Sequence, residues 1–348
     1  MVHAARDGLT LGEVGWQRID LPAGMEVEHL ADESPGRVVV SGLRDGTAYA
    51  GWLTWSGELT DISIPPEAAA HGSARVVRTC DQGVMGVCGS VGLWGYETPE
   101  FRGLATDVAA YPVPRDERGT EAAWVWVTAG DDQLVATVAY PTPDGHELRV
   151  MDLFTRLLVP VERRLVTGAP LDRLHVAGFA GRVTVAGPVS DSGPPSVWWS
   201  TCALLDPAEY RADPVPWLEE PAEGPAVRIT HGIDSGSVSF FAGLTEDGLV
   251  ALWDGTGELR EASGLRADPD APVALVAELE PWGDGWAEPD GLAAFVVGTA
   301  EGNLLSFRGG TYAVPSGRIR QAVVNRGFDR PRCFVLVDDA LHMGELEY

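Results

Sequence analysis

The chain has 348 residues, with 51 acidic and 25 basic side chains and a formal charge of −26. That charge repels nucleic-acid phosphates and anionic membrane surfaces, so neither is an expected partner. Every basic residue is arginine, which excludes Schiff-base chemistry, a P-loop lysine and a lysine general base.

The absence of lysine, with only two asparagines (Asn303 and Asn325), points to GC-rich coding and is read as bacterial. No apolar run approaches the ~20 residues needed to span a bilayer. The segment from Met1 to Trp16 lacks the layout of a signal peptide. A cytoplasmic location is therefore expected, with four free and mostly buried thiols. Cys80 and Cys88 flank a hairpin whose turn lies near Gln82, which denies them a cross-strand pairing.

In chain order, the first element is an unpaired strand pattern, Gly15-Trp16-Gln17-Arg18-Ile19-Asp20-Leu21-Pro22. A repeated unit follows, in which an apolar run ends in a small residue, a tight turn intervenes and a second apolar run begins. Val38-Val39-Val40-Ser41-Gly42 leads through Asp45-Gly46 into Tyr49-Ala50-Gly51-Trp52. The ends of the first runs fall near residues 42, 88, 130, 178, 243, 298 and 338. Their spacing averages about 49 residues, the length of a four-stranded propeller blade. The expected fold is all-β: one seven-bladed β-propeller spanning residues 1–348, with almost no helix.

Labelling the strands of each blade A to D from the axis outward, the B–C turns are read at Asp45-Gly46, Asp131-Asp132, Asp247-Gly248, Glu301-Gly302 and Asp338-Asp339. Two stretches exceed a minimal blade. Residues 141–153 read as an extended hairpin after strand C of blade three, and residues 206–224 as a proline-rich loop carrying Trp217. The C-terminal Leu341-His342-Met343-Gly344-Glu345-Leu346 reads as strand C of blade seven, whose strand D is missing. The N-terminal strand resembles the strand D of blade one, Gly57 to Pro65, and is predicted to complete the last blade. Closure of that kind removes an exposed sheet edge.

The repeats resemble WD40 repeats. Leu252-Trp253-Asp254 matches the Trp-Asp at a strand end, with Leu93-Trp94-Gly95, Trp198-Trp199-Ser200 and Ser306-Phe307-Arg308 at equivalent positions. The Gly-His dipeptide that opens such repeats is absent. The resemblance implies the propeller architecture and an interaction platform.

No specific catalytic motif is present. His146-Glu147 lacks a second histidine at zinc-binding spacing, and no calcium loop or dinucleotide fingerprint occurs. Gly86-Val87-Cys88-Gly89-Ser90 reads as a strand end and turn, not as a nucleophile elbow. No metal or cofactor is expected.

The repeat frame nevertheless gathers polar groups on the innermost strands: His29, Arg78, Tyr111, His175, His231, Glu278 with Glu280, and Asn325 with Arg326. Imidazole and carboxylate suit acid–base work, which assigns His29, His175, His231 and Glu280 as candidate catalytic groups. Arg78, Tyr111, Asn325 and Arg326 would hold a ligand. A narrow water-filled channel also needs a polar lining without any function.

Arg318, Arg320, Arg326, Arg330 and Arg332 crowd blade seven, either to grip an anion or to pair with acids such as Glu28, Glu33 or Glu345. Trp282 and Trp286, on a Gly-rich loop, and Trp217 are candidate partner-binding residues.

The reading reached is a non-enzymatic propeller that binds a protein or peptide. The alternative is a small-molecule enzyme (an acid–base cyclase, isomerase, lyase or hydrolase) at the mouth of the axial channel. A lectin-like propeller ranks third, because the blades have diverged too far to carry repeated sugar sites.

Overall fold

The computed structural model describes residues 11–12, 14–34, 36–80, 83–97, 108–130, 133–153, 157–158, 165–179, 182–189, 195–203, 222–233, 240–267, 274–277, 294–307, 309–325 and 330–346. These residues form seven antiparallel sheets, the blades of a closed propeller. The strands A, in ring order, are Met25–Ser34, Ala74–Cys80, Trp124–Gly130, His175–Phe179, Arg228–Ile233, Ala274–Ala277 and Ile319–Asn325. Each lies beside the strand A of the next blade, and the last lies beside the first. Helix among the described residues is confined to Pro66–Ala69 and a single 3-10 turn at Leu171–Arg173.

The blades cohere because a strand buried on both faces alternates its side chains between two neighbours. In strand B of blade one (Arg37–Arg44), Val38 and Val40 pack toward blade seven, and Val39 packs toward blade two. In strand B of blade seven (Arg332–Val337), Val335 faces blade six while Phe334 and Leu336 face blade one. Seven apolar clusters result, one at each blade interface. The core is therefore a ring around the axis.

The ring closes through the N-terminal segment. Gln17–Ile19 pairs antiparallel with blade seven, placing Gln17, Arg18 and Ile19 opposite Met343, His342 and Leu341. A second contact was not foreseen. Leu11–Gly12 adds a parallel fifth strand to blade six, opposite Thr311 and Tyr312, and Trp16 Nε1 donates to the Ala313 carbonyl at 2.7 Å. The segment thus covers the edges of two blades.

The turn chemistry accounts for most of the register. Asp45 and Gly46 have φ of 51° and 75°, the left-handed pair a two-residue hairpin requires, and Asp338 has φ 51°. In blades three and four the expected phase slips by one strand. Trp124–Gly130 is strand A of blade three, so Asp131-Asp132 joins A to B instead of B to C. Its strand B is Gln133–Thr142 and its strand C is Gly145–Asp152, so residues 141–153 contain the B–C turn itself and not an added hairpin. The mark near 178 likewise falls on a strand A, His175–Phe179. An apolar run ending in glycine marks the end of strand A here as readily as that of strand B, and nothing local distinguishes them.

Other readings meet the register directly. Cys88 pairs with Ala74 and Cys80 with Gly83, so the two cysteines are not cross-strand partners. Cys88, Cys202 and Cys333 are buried. The Trp-Asp of blade five does structural work. Trp253 is buried, and Asp254 accepts from the Thr256 N–H (2.8 Å), the Glu258 N–H (3.1 Å) and Arg260 Nε (2.8 Å), closing the C–D turn. No helix among the described residues is long and apolar enough to cross a membrane.

Candidate functional site

Cross-strand register fixes the height of each strand-A residue along the axis. His29 lies opposite Ser41, Arg75 opposite Val87, Trp124 opposite Ala139, His175 opposite Ala186 and His231 opposite Ala242. Each of these partners lies within three residues of the end of its strand B. The five side chains therefore come from five successive blades at one level, near the face that carries the B–C turns. Bulges at Val27/His29, Val76/Arg78 and Ile229/His231 adjust which side chain is presented there.

The strands crowd at this level. A Cβ on Gly232 would lie 2.7 Å from the Val176 carbonyl oxygen, so glycine is needed for blade five to approach blade four. That approach sets His231 beside His175, whose imidazole also hydrogen-bonds the backbone of Ile229.

The electrostatics of the three imidazoles run one way. Burial depresses His29 to about 3, with help from the positive charges of Arg75 and Arg320 and from His231. Burial depresses His175 to about 3 as well, with His231, Arg228 and Arg75 adding to it against the Ile229 hydrogen bond. Burial lowers His231 too. All three are neutral at pH 7. Surface area leaves His29, His175 and His231 only partly covered, because a narrow channel admits water while surrounding the ring with protein atoms. Among the described residues, every charge named as acting on His29 and His175 is cationic.

Arg75 is a cation that acts on both His29 and His175. Its Nε and Nη2 are buried and meet no hydrogen-bond acceptor, and its guanidinium carbon lies 5.7 Å from the centre of the Trp124 ring. Trp124 Nε1 is also buried without an acceptor.

Two expected ligand contacts stand elsewhere. Tyr111 follows the outermost strand of blade two, its N–H donating to the Leu93 carbonyl, and packs between blades two and three. Its placement on the axis was a consequence of the strand slip in blade three. Asn325 is fully buried at the junction of blades seven and one. Its Oδ1 accepts from the Gly36 N–H (3.0 Å) and Trp55 Nε1 (2.7 Å), and its Nδ2 donates to the Arg37 carbonyl (3.0 Å) and the Asp32 carboxylate. Those bonds make it a latch between blades, with no group left over for a ligand.

Arg78 lies on strand A of blade two, opposite Met85. Glu278, Glu280, Arg326, Trp217, Trp282 and Trp286 lie outside the described residues. The arginines of blade seven form ion pairs, Arg320 with Asp339 (3.1 Å) and both Arg330 (3.0 Å) and Arg332 (3.2 Å) with Glu345. Arg332 also covers Trp55, 4.1 Å from its ring centre.

Sequence reasoning missed Arg75 and Trp124. Aligning the blades on strand B, and counting across the hairpin from there, recovers both.

A second feature opens on the same face. A cavity of about 570 Å³ lies between blades two and three. Its lining comes from the connection between blades one and two (Glu67, Ala68, His71), the B–C turn of blade two (Val91 to Leu93) and the connection into blade three (Ala110 to Val113). Arg115 and Glu121, ion-paired with each other, stand at its rim.

No family model and no curated protein matches the chain. Solved structures do share its fold. The crystal structure of BBS1N in complex with ARL6DN is 12% identical, covers 97% of this chain and 98% of that one, and superposes with a TM-score of 0.52. The crystal structure of Chaetomium thermophilum Raptor is 11% identical over 96% of this chain and 29% of that one, with a TM-score of 0.51. The chain is thus a seven-bladed β-propeller.

Proposed function

We propose that the protein is a docking platform whose groove between blades two and three receives a basic peptide segment of a partner protein through an apolar anchor. The groove carries this reading. Ala68, Val91, Leu93, Tyr111, Pro112, Val113 and Ala122 give it an apolar wall, and Glu67 and Glu121 stand among its lining residues. Two features set the chemistry of the occupant: an apolar anchor gains from desolvation in such a groove, and a chain of charge −26 attracts cationic segments over a distance. The structural neighbour BBS1N was crystallised with a protein partner, which agrees with this use of the fold.

The competing reading is acid–base catalysis at the channel mouth. It has three histidines at one level in its favour. Against it, imidazoles held at about 3 have no proton to donate at pH 7 and are weak bases.

Selection of a displayed peptide library on the intact protein tests the docking reading. Basic peptides with one large apolar residue should be enriched. Val91→Arg, which fills the groove and cancels its net negative charge, should abolish their binding while the fold is retained. Enrichment of acidic peptides, or equal binding to the Val91→Arg variant, overturns it.

A further inference from the structure

The channel mouth holds a cation that meets no counter-ion among the described residues. Nε and Nη2 are the two donors of one guanidinium edge, the fork that receives a carboxylate or phosphate through two parallel hydrogen bonds. In Arg75 both are buried, and both lack an acceptor. We propose that this mouth is an oxyanion-binding site, in which Arg75 grips a carboxylate or phosphate group of a small molecule and Trp124 Nε1 and the imidazoles of His29, His175 and His231 line its surroundings.

Four observations converge on this assignment. First, a buried charge without a partner is costly, and the fold carries 51 acidic residues from which one might have been supplied. Elsewhere the arginines find such partners, as Arg149 does with Glu147 and Arg260 with Asp254. Second, the guanidinium lies against the Trp124 ring, an arrangement that orients a cation without neutralising it. Third, the other side chains identified at this level are neutral rings, those of Trp124, His29, His175 and His231. Arg228 and Arg320 add positive potential at the same mouth. Fourth, Trp124 Nε1 is buried at the same level without an acceptor and supplies a further unmet donor. On a protein of charge −26 such a local positive spot selects by contact, because long-range attraction for an anion is missing.

The site is independent of the peptide groove. It uses the innermost strands of blades one, two, three, four and five, whereas the groove uses the loops and outer strands of blades two and three.

Titration of the full-length chain, isotopically labelled at its seven histidines, tests the proposal. Acetate and inorganic phosphate are added separately at constant chloride, and the imidazole resonances are followed by NMR. Saturable shifts of His29, His175 and His231 are expected, and the stronger of the two probes identifies the oxyanion class. Arg75→Gln should weaken that binding at least about 10-fold, equivalent to ~1.4 kcal/mol. Arg266→Gln, which removes an exposed arginine paired with Asp247, should leave it unchanged. If Arg75→Gln does not fold, Arg75→Lys keeps the charge but loses the fork, and must also bind more weakly. Absence of saturable shifts with either probe, or wild-type affinity in a folded Arg75 variant, overturns the proposal. Val91→Arg leaves this binding intact, so failure of the groove and failure of the anion site are separately visible.

Discussion

Arg75 and Arg149 are the same side chain buried in two different ways. Arg149, on strand C of blade three, has a side chain only 2% exposed and is surrounded by acids. Its Nε donates to Glu147 at 2.6 Å, Nη1 pairs with Glu117, and Nη2 lies 4.0 Å from Asp116. Burial alone would raise Asp116, but N–H donors from Thr120 and Arg118 outweigh it and hold the carboxyl down to about 2. Tyr140 completes the cluster, its ring centre 5.4 Å from the Arg149 guanidinium. This network fastens the connection entering blade three onto that blade's own sheet. Arg75 has the aromatic neighbour but, among the described residues, no acid that its buried Nε or Nη2 meets. An arginine whose charge is answered inside the protein is a structural element, and one whose charge is left open at a channel mouth is available to bind.

The contrast predicts opposite signs for the same substitution at the two places. Arg149→Met should destabilise the protein by up to about 3–5 kcal/mol, because the buried Glu147 would lose its 2.6 Å partner and keep only the longer 3.3 Å pair with Arg118. Denaturant unfolding measures this. Adding Glu147→Gln to Arg149→Met should recover part of the loss, since it removes one stranded charge. A cost below about 1 kcal/mol for Arg149→Met would mean that water reaches the cluster, and the comparison would lose one of its poles.

The two regions were unequally visible in the sequence. The B–C turns of blades one, five, six and seven carry Asp-Gly, Glu-Gly or Asp-Asp signals, so the repeat, the blade number and the closing strand were legible. His29 and His231 were legible as strand-A residues because their blades could be phased from nearby turns, and His175 was placed on strand A although the mark near 178, read as a strand-B end, falls on that same strand. Blade three could not be phased, since Gly130-Asp131-Asp132 imitates a B–C turn at an A–B position. That slip hid Trp124 and moved Tyr111 to the axis. Arg75 was hidden by a bulge. Arg75 and Arg78 lie three apart, on opposite faces of a regular strand, and the irregularity at Val76/Arg78 is a backbone event that composition does not announce. The acids around Arg149 lie 32 and 33 positions away, at Glu117 and Asp116, and only the folded connection brings them in.

A second test uses pH. His29 and His175 have folded pKa values of about 3, against an ordinary value of 6.5. The unfolded chain therefore binds more protons between those values, and stability falls as pH falls through this window. The contribution is complete above about pH 6.5 and reaches a loss on the order of 2 kcal/mol per histidine near pH 4.5. His231 and His342, also lowered by burial, act in the same direction. Asp116 loses its stabilising contribution only as pH falls from about 3.8 to about 2, so at pH 4.5 the histidine effect is seen alone. Denaturant midpoints at pH 7 and pH 4.5, in buffers free of carboxylate and phosphate, should differ in wild type, and the difference should shrink in His29→Gln. A flat profile would show that these rings are freely solvated.

Asn325→Ala tests a neutral counterpart of the comparison. The side chain satisfies Trp55 Nε1 and the Gly36 N–H, and both would lose their acceptor. The expected cost is about 1–2 kcal/mol, since each abandoned donor is partly buried, and unfolding by denaturant reads it. An unaltered stability would mean that blades seven and one are held by their apolar contacts alone.

The smallest expected effect carries the most diagnostic sign. In the absence of oxyanions, Arg75→Met should not destabilise the protein, although it deletes a large and mostly covered side chain. The methionine retains the apolar contact with Trp124, and the unanswered guanidinium charge is relieved. A gain of up to about 1 kcal/mol, a rise in Tm of roughly 2 °C for a chain of this size, is expected. Relief of the positive field should also raise the pKa of His29 and His175, since Arg75 is one of the charges that depress them. In saturating oxyanion the order reverses, because only the wild type then gains stability from binding, by an amount that grows with ligand concentration. Melting curves of the two proteins should therefore cross as acetate or phosphate is added. If the variant melts lower under every condition, Arg75 is held by interactions equivalent to those of Arg149, and the two arginines belong to one structural class.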